Sequence, residues 1–458
     1  MSIDRDDRTR RGGDAAGRLT EQDVEGVALT FVDTAGITRV KAVPLERLGR
    51  AAGWGVGMSP VFDTFVSDDS ITSTDTLGSP DGDLRLLPDL ARLTVLSAQP
   101  GWAWAPVDRY TQDGEPYPAC QRLFARRMVQ RAADDGLAAR MAVEIEWAVS
   151  RGETTEEFTA ACTGPAYGMT RLVELSDYAR DLLVALRQQG VQVEQVHPEY
   201  SDGQYEVSVE PLDPVGAADR SVLVRQTIRA VARRAGLRVS FAPSVLAGGV
   251  GNGGHLHLSA WRDGSNLHAG GNGPLGMTAD AAGFVAGIVE QLPALAALLT
   301  PSPSSYLRMQ PSHWAGVYAV WGHENREAAV RVVTGRIGDR DRAANLEVKC
   351  VDLAANPYLA LAGVIAAGLD GLRRRPEPGP PVSGDPAALD EAERHRRGIR
   401  RLPRTLPEAV DAFAASSLLR DALGDVLADA VVAVRRGEHA RVQRLSPEAI
   451  TEAYRWVY

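Results

Sequence analysis

Residues 248–261, GGVGNGGHLHLSAW, set two histidines two positions apart behind a run of glycines. On a β-strand, residues i and i+2 face the same side. His255, His257 and Ser259 then line one surface, and Leu256, Leu258 and Ala260 the other. This predicts a half-buried strand with a polar, hydrogen-bonding face. Taken alone, the stretch suits a solvated surface strand as well as a metal or nucleotide site. The rest of the chain decides between them.

Three further stretches repeat the alternation. In 142–149, AVEIEWAV, Val143, Ile145, Trp147 and Val149 alternate with Glu144 and Glu146. In 204–210, QYEVSVE, Tyr205, Val207 and Val209 oppose Glu206, Ser208 and Glu210. In 345–350, NLEVKC, Leu346, Val348 and Cys350 oppose Glu347 and Lys349. A sheet with its polar face in water explains each strand singly. It does not explain why glutamate, a weak strand former, recurs on strongly apolar strands. Carboxylates brought together repel unless cations lie between them. Oxygen ligands with one imidazole suit Mg²⁺ or Mn²⁺, with His255 as the nitrogen ligand. Arg308 in SYLRMQ, Arg326 and Arg331 in HENREAAVRVV, and Lys349 supply groups that clamp carboxylates and phosphates. Divalent ions flanked by arginines form a phosphoryl-transfer arrangement. No GxxxxGK[ST] loop accompanies it, so the nucleotide fold differs from the P-loop type. The residues by themselves describe a metal-dependent enzyme acting on an anion.

The 458 residues, 44% hydrophobic and 24% charged, predict a large core and more than one domain. A net charge of -9 without a basic block argues against a nucleic-acid partner. Cys120, Cys162 and Cys350 are too widely spaced for a zinc motif or disulfide framework, which suits a reducing cytoplasm. Residues 1–18, MSIDRDDRTRRGGDAAGR, have no apolar segment, are no signal peptide and read as a disordered arm. The apolar stretch GFVAGIVEQLPALAALLT contains Glu290 and Pro293 and reads as a buried helix, with no membrane role. A hairpin is predicted around 33–36. Helices are predicted over 118–135, 176–189 and 217–235, with mainly helical structure after 356–357. RRRPEPGPPVSGDP reads as a loop.

From about residue 25 to the C-terminus the chain resembles the glutamine synthetase superfamily. The resemblance rests on VEIEW, HPEYSDGQYEV, GNGGHLHLS, SSYLRM, NREAAVR and LEVKCVDLAANPYLALAGVIAAGLDG, in that order. It implies an α+β fold: after the 1–18 arm, an N-terminal β-grasp domain over 19–112 and a catalytic α/β domain over 113–458 with a curved antiparallel sheet. It implies a homo-oligomer, a dodecamer of two stacked hexameric rings, with active sites shared between neighbours and residues 54–62 at the subunit contact. Glu146, Glu199 and Glu206 match the ligands of one metal; Glu144, His255 and Glu347 match those of a second. His257 and Ser259 match positions that meet ATP. Gly251 matches a backbone contact to glutamate, and Arg308 the clamp on its α-carboxylate. Arg326 and Arg331 match the catalytic arginines around the transferred phosphoryl group, Arg331 also on the ATP side.

The departures concern the amine. Trp314, in MQPSHWAGVY, stands where the ammonia-using enzymes keep a flap glutamate, and Gly57 stands where they keep an ammonium-binding aspartate. An indole takes no proton from ammonium, but it packs against a carbon chain or holds a cation over its face. Asn345 replaces an arginine near ATP, and Lys349 one near the γ-carboxylate; lysine is a point charge rather than a bidentate fork. Arg400 stands where some bacterial members carry a tyrosine that is adenylylated. The resemblance therefore implies an ATP-dependent ligase joining glutamate to a primary amine through a γ-glutamyl phosphate, with ethanolamine as the first expectation and a polyamine as the alternative. A different acid or amine, true ammonia use, and a non-catalytic ring protein are the further readings. His313, His323 and Glu324 are candidates for deprotonating the amine.

Overall fold

The computed structural model of the 458-residue chain describes residues 4–152, 154 and 156–458. The predicted hairpin forms: Gly26–Val32 pairs antiparallel with Thr38–Pro44, and parallel with Trp102–Thr111. The Asp33 carboxylate accepts the Ile37 N–H at 2.9 Å across the turn. Gly36 lies in the left-handed region, and a Cβ there would meet the Ala354 carbonyl oxygen at 2.0 Å, so the turn seats against the catalytic domain. Leu84–Pro88 and then Val56–Met58 complete this mixed N-terminal sheet.

One expectation is corrected here. Of the expected disordered arm over 1–18, residues 4–18 are ordered: Arg5–Thr20 is a helix capped by the Asp4 side chain, while residues 1–3 lie outside the described residues. It packs on Leu48–Trp54 and buries Gly12, Ala15 and Leu19. At Gly12 a Cβ would stand 2.8 Å from the Ala52 Cβ, so the two helices cross closely. Three glycines lower the segment's intrinsic helix propensity; the tertiary contact outweighs it.

The catalytic part carries two sheets. One runs Leu237–Ser240, Ile145–Arg151, Gln204–Val209, Val193–Pro198, all antiparallel. The other runs Ser265–Asn266, Leu256–Arg262, Asn345–Val348, Ala328–Val333, Tyr318–His323, with Ala138–Val143 also on Leu256–Arg262. Its last pair, Tyr318–His323 with Ala328–Val333, is parallel, so this curved sheet is mixed at one edge. The chain crosses between sheets at Glu144, where the Glu144 N–H donates to the His255 carbonyl at 2.9 Å. Helices cover the convex side. Pro214–Arg234, Ala279–Leu299 and Pro357–Arg374 are largely buried. Ala279–Leu299, the predicted core helix, tolerates Pro293 and crosses Pro357–Arg374 closely enough that a Cβ on Gly371 would meet the Gly283 carbonyl at 2.2 Å. The helices Leu406–Ala415, Ser417–Leu423, Asp425–Val442 and Pro447–Tyr454 close the chain.

Candidate active site

Strand register builds the site. In one sheet Glu206 stands opposite Glu146 on one side and His197 on the other. In the other sheet Glu347 stands opposite His257 on one side and Arg331 on the other. Glu144 and His255, at the crossing, join these two cross-strand rows. The apolar partners on the same strands, Trp147, Tyr205, Leu256 and Val348, are buried on the opposite face. The alternation that buries one face therefore delivers Glu146, Glu206 and Glu347 to the other, while Glu144 stands at the crossing and Glu199 just past the end of Val193–Pro198.

His255 Nδ1 lies 2.7 Å from Glu144 Oε1, 3.5 Å from Glu347 Oε1 and 3.8 Å from Glu146 Oε1. His257 Nε2 lies 3.6 Å from Glu144 Oε2, and its Nδ1 is 3.0 Å from Asn345 Oδ1. Glu347 takes Lys349 Nζ at 2.9 Å and Arg331 at 3.0 Å. Glu146 accepts the Gly253 N–H at 2.7 Å and the Gln204 amide at 3.1 Å. His197, which sequence reasoning missed, bonds Glu206 at 3.1 Å and lies 3.6 Å from Glu199. Its signal was present: in HPE it stands two residues before Glu199, which follows the end of the strand Val193–Pro198.

The electrostatics show a shortage of positive charge. Burial pushes the Glu206 carboxyl up to about 8, helped by Glu144 and Glu146 and opposed by the His197 hydrogen bond. Burial and the Glu146 charge also raise Glu199. The Glu206 hydrogen bond raises His197 to about 9. In the other row, burial works to raise Glu144, but hydrogen bonds from His255 and His257 hold it well below the usual carboxylate range. Burial likewise opposes Glu347, but Lys349, His257 and His255 outweigh it and keep its pKa low. Burial works to lower His257; Glu144 and Glu347 outweigh it and carry the ring to about 9. Hard oxygen donors with imidazoles, carrying uncompensated negative charge, fit divalent cations of the Mg²⁺ or Mn²⁺ kind. Donor atoms of Glu144, Glu146 and His255 lie within 4.8 Å of one another, as do those of Glu144, His257 and Glu347, and those of His197, Glu199 and Glu206. The six expected ligands thus come together, but the groupings cut across the expected division and add two histidines.

Two cavities meet at Glu144. One, of about 400 Å³, is lined by Glu206, His255, Gly251, Arg308, Trp314 and Lys349 among others. The other, of about 330 Å³, is lined by His257, Ser259, Gln195, Arg342 and Asn345. A larger cavity of about 820 Å³ lies outside this centre, against Ser176–Gln188, and has no carboxylate or imidazole in its lining. Gly251 is obligatory where it stands: a Cβ would meet the Pro243 carbonyl at 2.0 Å and the Arg308 side chain at 2.9 Å. Arg308 reaches His255 Nε2 at 3.2 Å. Arg326 lines the first cavity, its guanidinium 5.7 Å from the Trp314 ring. Arg331 is engaged by Glu347 and by Glu324 at 2.7 Å. Of the proton-acceptor candidates, His313 lines the first cavity, whereas His323 bonds Thr334 and Glu324 bonds Arg331. Gly57 lies in the N-terminal sheet beside Asp83 and Arg85, away from this cavity in the single chain. Trp314 is half exposed with a left-handed backbone, and its backbone N–H donates to Glu327 at 3.0 Å. Glu327 is a second residue that sequence reasoning passed over, because NREAAVR was read for its arginines.

Comparison with known proteins agrees with this arrangement. Residues 14–115 match the glutamine synthetase N-terminal domain and residues 118–454 the glutamine synthetase catalytic domain. The chain is 65% identical to the gamma-glutamylpolyamine synthetase of Streptomyces coelicolor, over 97% of this chain and 96% of that one. It is 32% identical to the glutamine synthetase of Thermococcus kodakarensis, over 86% and 85% of the two chains. Among solved structures, a novel glutamine synthase homolog superposes with a TM-score of 0.85 at 34% identity, covering 95% of this chain and 99% of that one. The ADP complex of GmaS superposes with a TM-score of 0.83 at 28% identity, covering 95% and 97%. The two cross-strand rows, the paired cavities and these likenesses place the chain in the glutamine synthetase superfamily, as an ATP-dependent carboxylate–amine ligase.

Proposed function

We propose that the chain joins the γ-carboxylate of glutamate to an amino group of a polyamine. Ethanolamine, the first expectation from the sequence, gives way to the alternative. The observation that carries this reading is the 65% identity, over nearly both whole chains, to a gamma-glutamylpolyamine synthetase. Trp314 at the mouth of the first cavity supports it, since an indole can cover a carbon chain and hold an ammonium over its face.

In this reading glutamate occupies the first cavity, with its α-carboxylate on Arg308 and the Gly251 backbone, and its γ-carboxylate toward Lys349. ATP lies along the second, over His257 and Ser259. Glu144, Glu146, Glu199, Glu206, His255 and Glu347 would hold two divalent ions, which when bound neutralise phosphate charge. The γ-carboxylate oxygen attacks the γ-phosphorus and ADP leaves; Arg326 and Arg331 stabilise the transferring group. The amine nitrogen then attacks the acyl carbon, the bond to the phosphate oxygen breaks, phosphate departs, and the nitrogen gives up a proton. The assembly we propose is a homo-oligomer of two stacked hexameric rings, in which residues 54–62 meet a neighbour's site. The buried, unpaired thiols of Cys120, Cys162 and Cys350 suit a cytoplasmic setting.

Phosphate release with glutamate, ATP and Mg²⁺ tests the reading across putrescine, spermidine, ethanolamine and ammonium. Polyamines are expected to give the highest kcat/KM. A preference for ammonium or ethanolamine over every polyamine overturns it.

A further inference from the structure

Glu327 follows Arg326 in the connection between Tyr318–His323 and Ala328–Val333. It is only 7% exposed. One carboxylate oxygen accepts the backbone N–H of Trp314 at 3.0 Å, and among the described residues the other accepts no hydrogen bond. Among the described residues no lysine, arginine or histidine nitrogen lies within 4.0 Å of it. This is unusual for a buried carboxylate, which is ordinarily paired. It is more so here, because the adjacent Arg326 places its guanidinium over the Trp314 ring instead.

The surroundings are those of the first cavity. His313, Lys349 and Asp385, the last held by Ser312, are the ionisable groups around Glu327. Trp314, His313, Ser312, Arg326 and Lys349 all line that cavity. None of the contacts of Glu327 is with Glu144, Glu146, Glu206, His255 or Glu347, so it stands apart from the centre where the acyl group must react. Glu327 does not itself line the cavity; it stands directly behind Trp314 and Arg326, which do, and an unpaired carboxylate there draws an organic ammonium to that wall.

We propose that Glu327 holds the distal ammonium of a diamine or polyamine whose other nitrogen is acylated, and so separates such dications from ethanolamine and simple alkylamines. The assignment rests on the amine-ligase reading above. Ethanolamine presents a neutral hydroxyl at its far end and gains little from a carboxylate there. A diamine presents a second charge and gains a desolvated ion pair.

The test is kcat/KM of the full-length protein for putrescine, spermidine, butylamine and ethanolamine, at saturating glutamate and ATP. Glu327→Gln keeps volume and an acceptor for the Trp314 N–H. It is expected to lower kcat/KM for the diamines roughly tenfold or more, through KM, while butylamine and ethanolamine stay within about twofold. Glu327→Asp, charged but one methylene shorter, is expected to keep the diamine preference at a raised KM, and thermal melts report whether each variant folds. An equal fall for all four amines, an unchanged putrescine KM, or loss of the preference in a folded Glu327→Asp overturns the assignment. A wild type that uses no diamine overturns the amine-ligase reading with it. A wild type that uses diamines, with an unchanged ratio in Glu327→Gln, overturns the role of Glu327 alone.

Discussion

His197 and Trp314 carry the residue-scale arguments. His197 faces Glu206 and Glu199 in a row short of positive charge, so it orients those carboxylates and offsets part of their repulsion. His197→Ala is expected to raise the Mg²⁺ concentration needed for half-maximal turnover by about tenfold, with the melting temperature little changed. A Mg²⁺ titration of ATP turnover checks this, and an unaltered curve assigns His197 no part in the centre. Trp314 lies at the cavity mouth with its indole half exposed, so its replacement costs little in folding. Trp314→Glu is expected to weaken polyamine use and to bring ammonium into measurable use, read as the ratio of their kcat/KM values. A ratio unchanged from wild type removes Trp314 from amine selection.

At the scale of elements, two helices make predictions. Arg5–Thr20 packs on Leu48–Trp54 and buries Leu19. Leu19→Ala is expected to destabilise the domain by about 2–4 kcal/mol, seen as a lower melting temperature. A segment that melted independently would give no such change. The second helix, Ala279–Leu299, packs Phe284 edge-on against His268 at 6.5 Å. Both His268 ring nitrogens are buried without a partner, and burial lowers its pKa to about 4. The folded state therefore keeps this ring neutral where the unfolded chain, near 6.5, would protonate it. Stability from this group is whole above about pH 6.5 and declines as pH falls toward 4, by about 3 kcal/mol in all. His268→Phe is expected to flatten that part of the melting-temperature profile between pH 7 and pH 4. A variant profile parallel to wild type would show that His268 does not cause the decline.

For the whole molecule, the prediction concerns assembly. The proposed ring would set the strand Val56–Met58 of one chain beside the cavity of the next; among the described residues of one chain, Gly57 is not in that cavity's lining. Activity is then expected to fall with dissociation, which sizing and turnover at matched dilutions measure; a fully active monomer defeats it. The same division between local and assembled structure runs through what the sequence disclosed. Period-two alternation placed Glu144, Glu146, Glu206, His255 and Glu347 on polar strand faces, because the pleat sends successive side chains to opposite sides. Helices over 121–134, 176–188 and 214–234 were legible from their periodicity to within a few residues. The amphipathic pattern and the ordered motifs were enough for the fold class. The tertiary structure alone decided that the stretch 138–151 serves two sheets with its break at Glu144, because register depends on partner strands. It alone showed Arg5–Thr20 as a helix, packed on Leu48–Trp54 through Gly12 and Ala15, a contact that the local pattern does not disclose. It also brought His197 into the carboxylate row and left Glu327 unpaired behind Trp314, since a side chain's charge partners lie across space rather than along the chain.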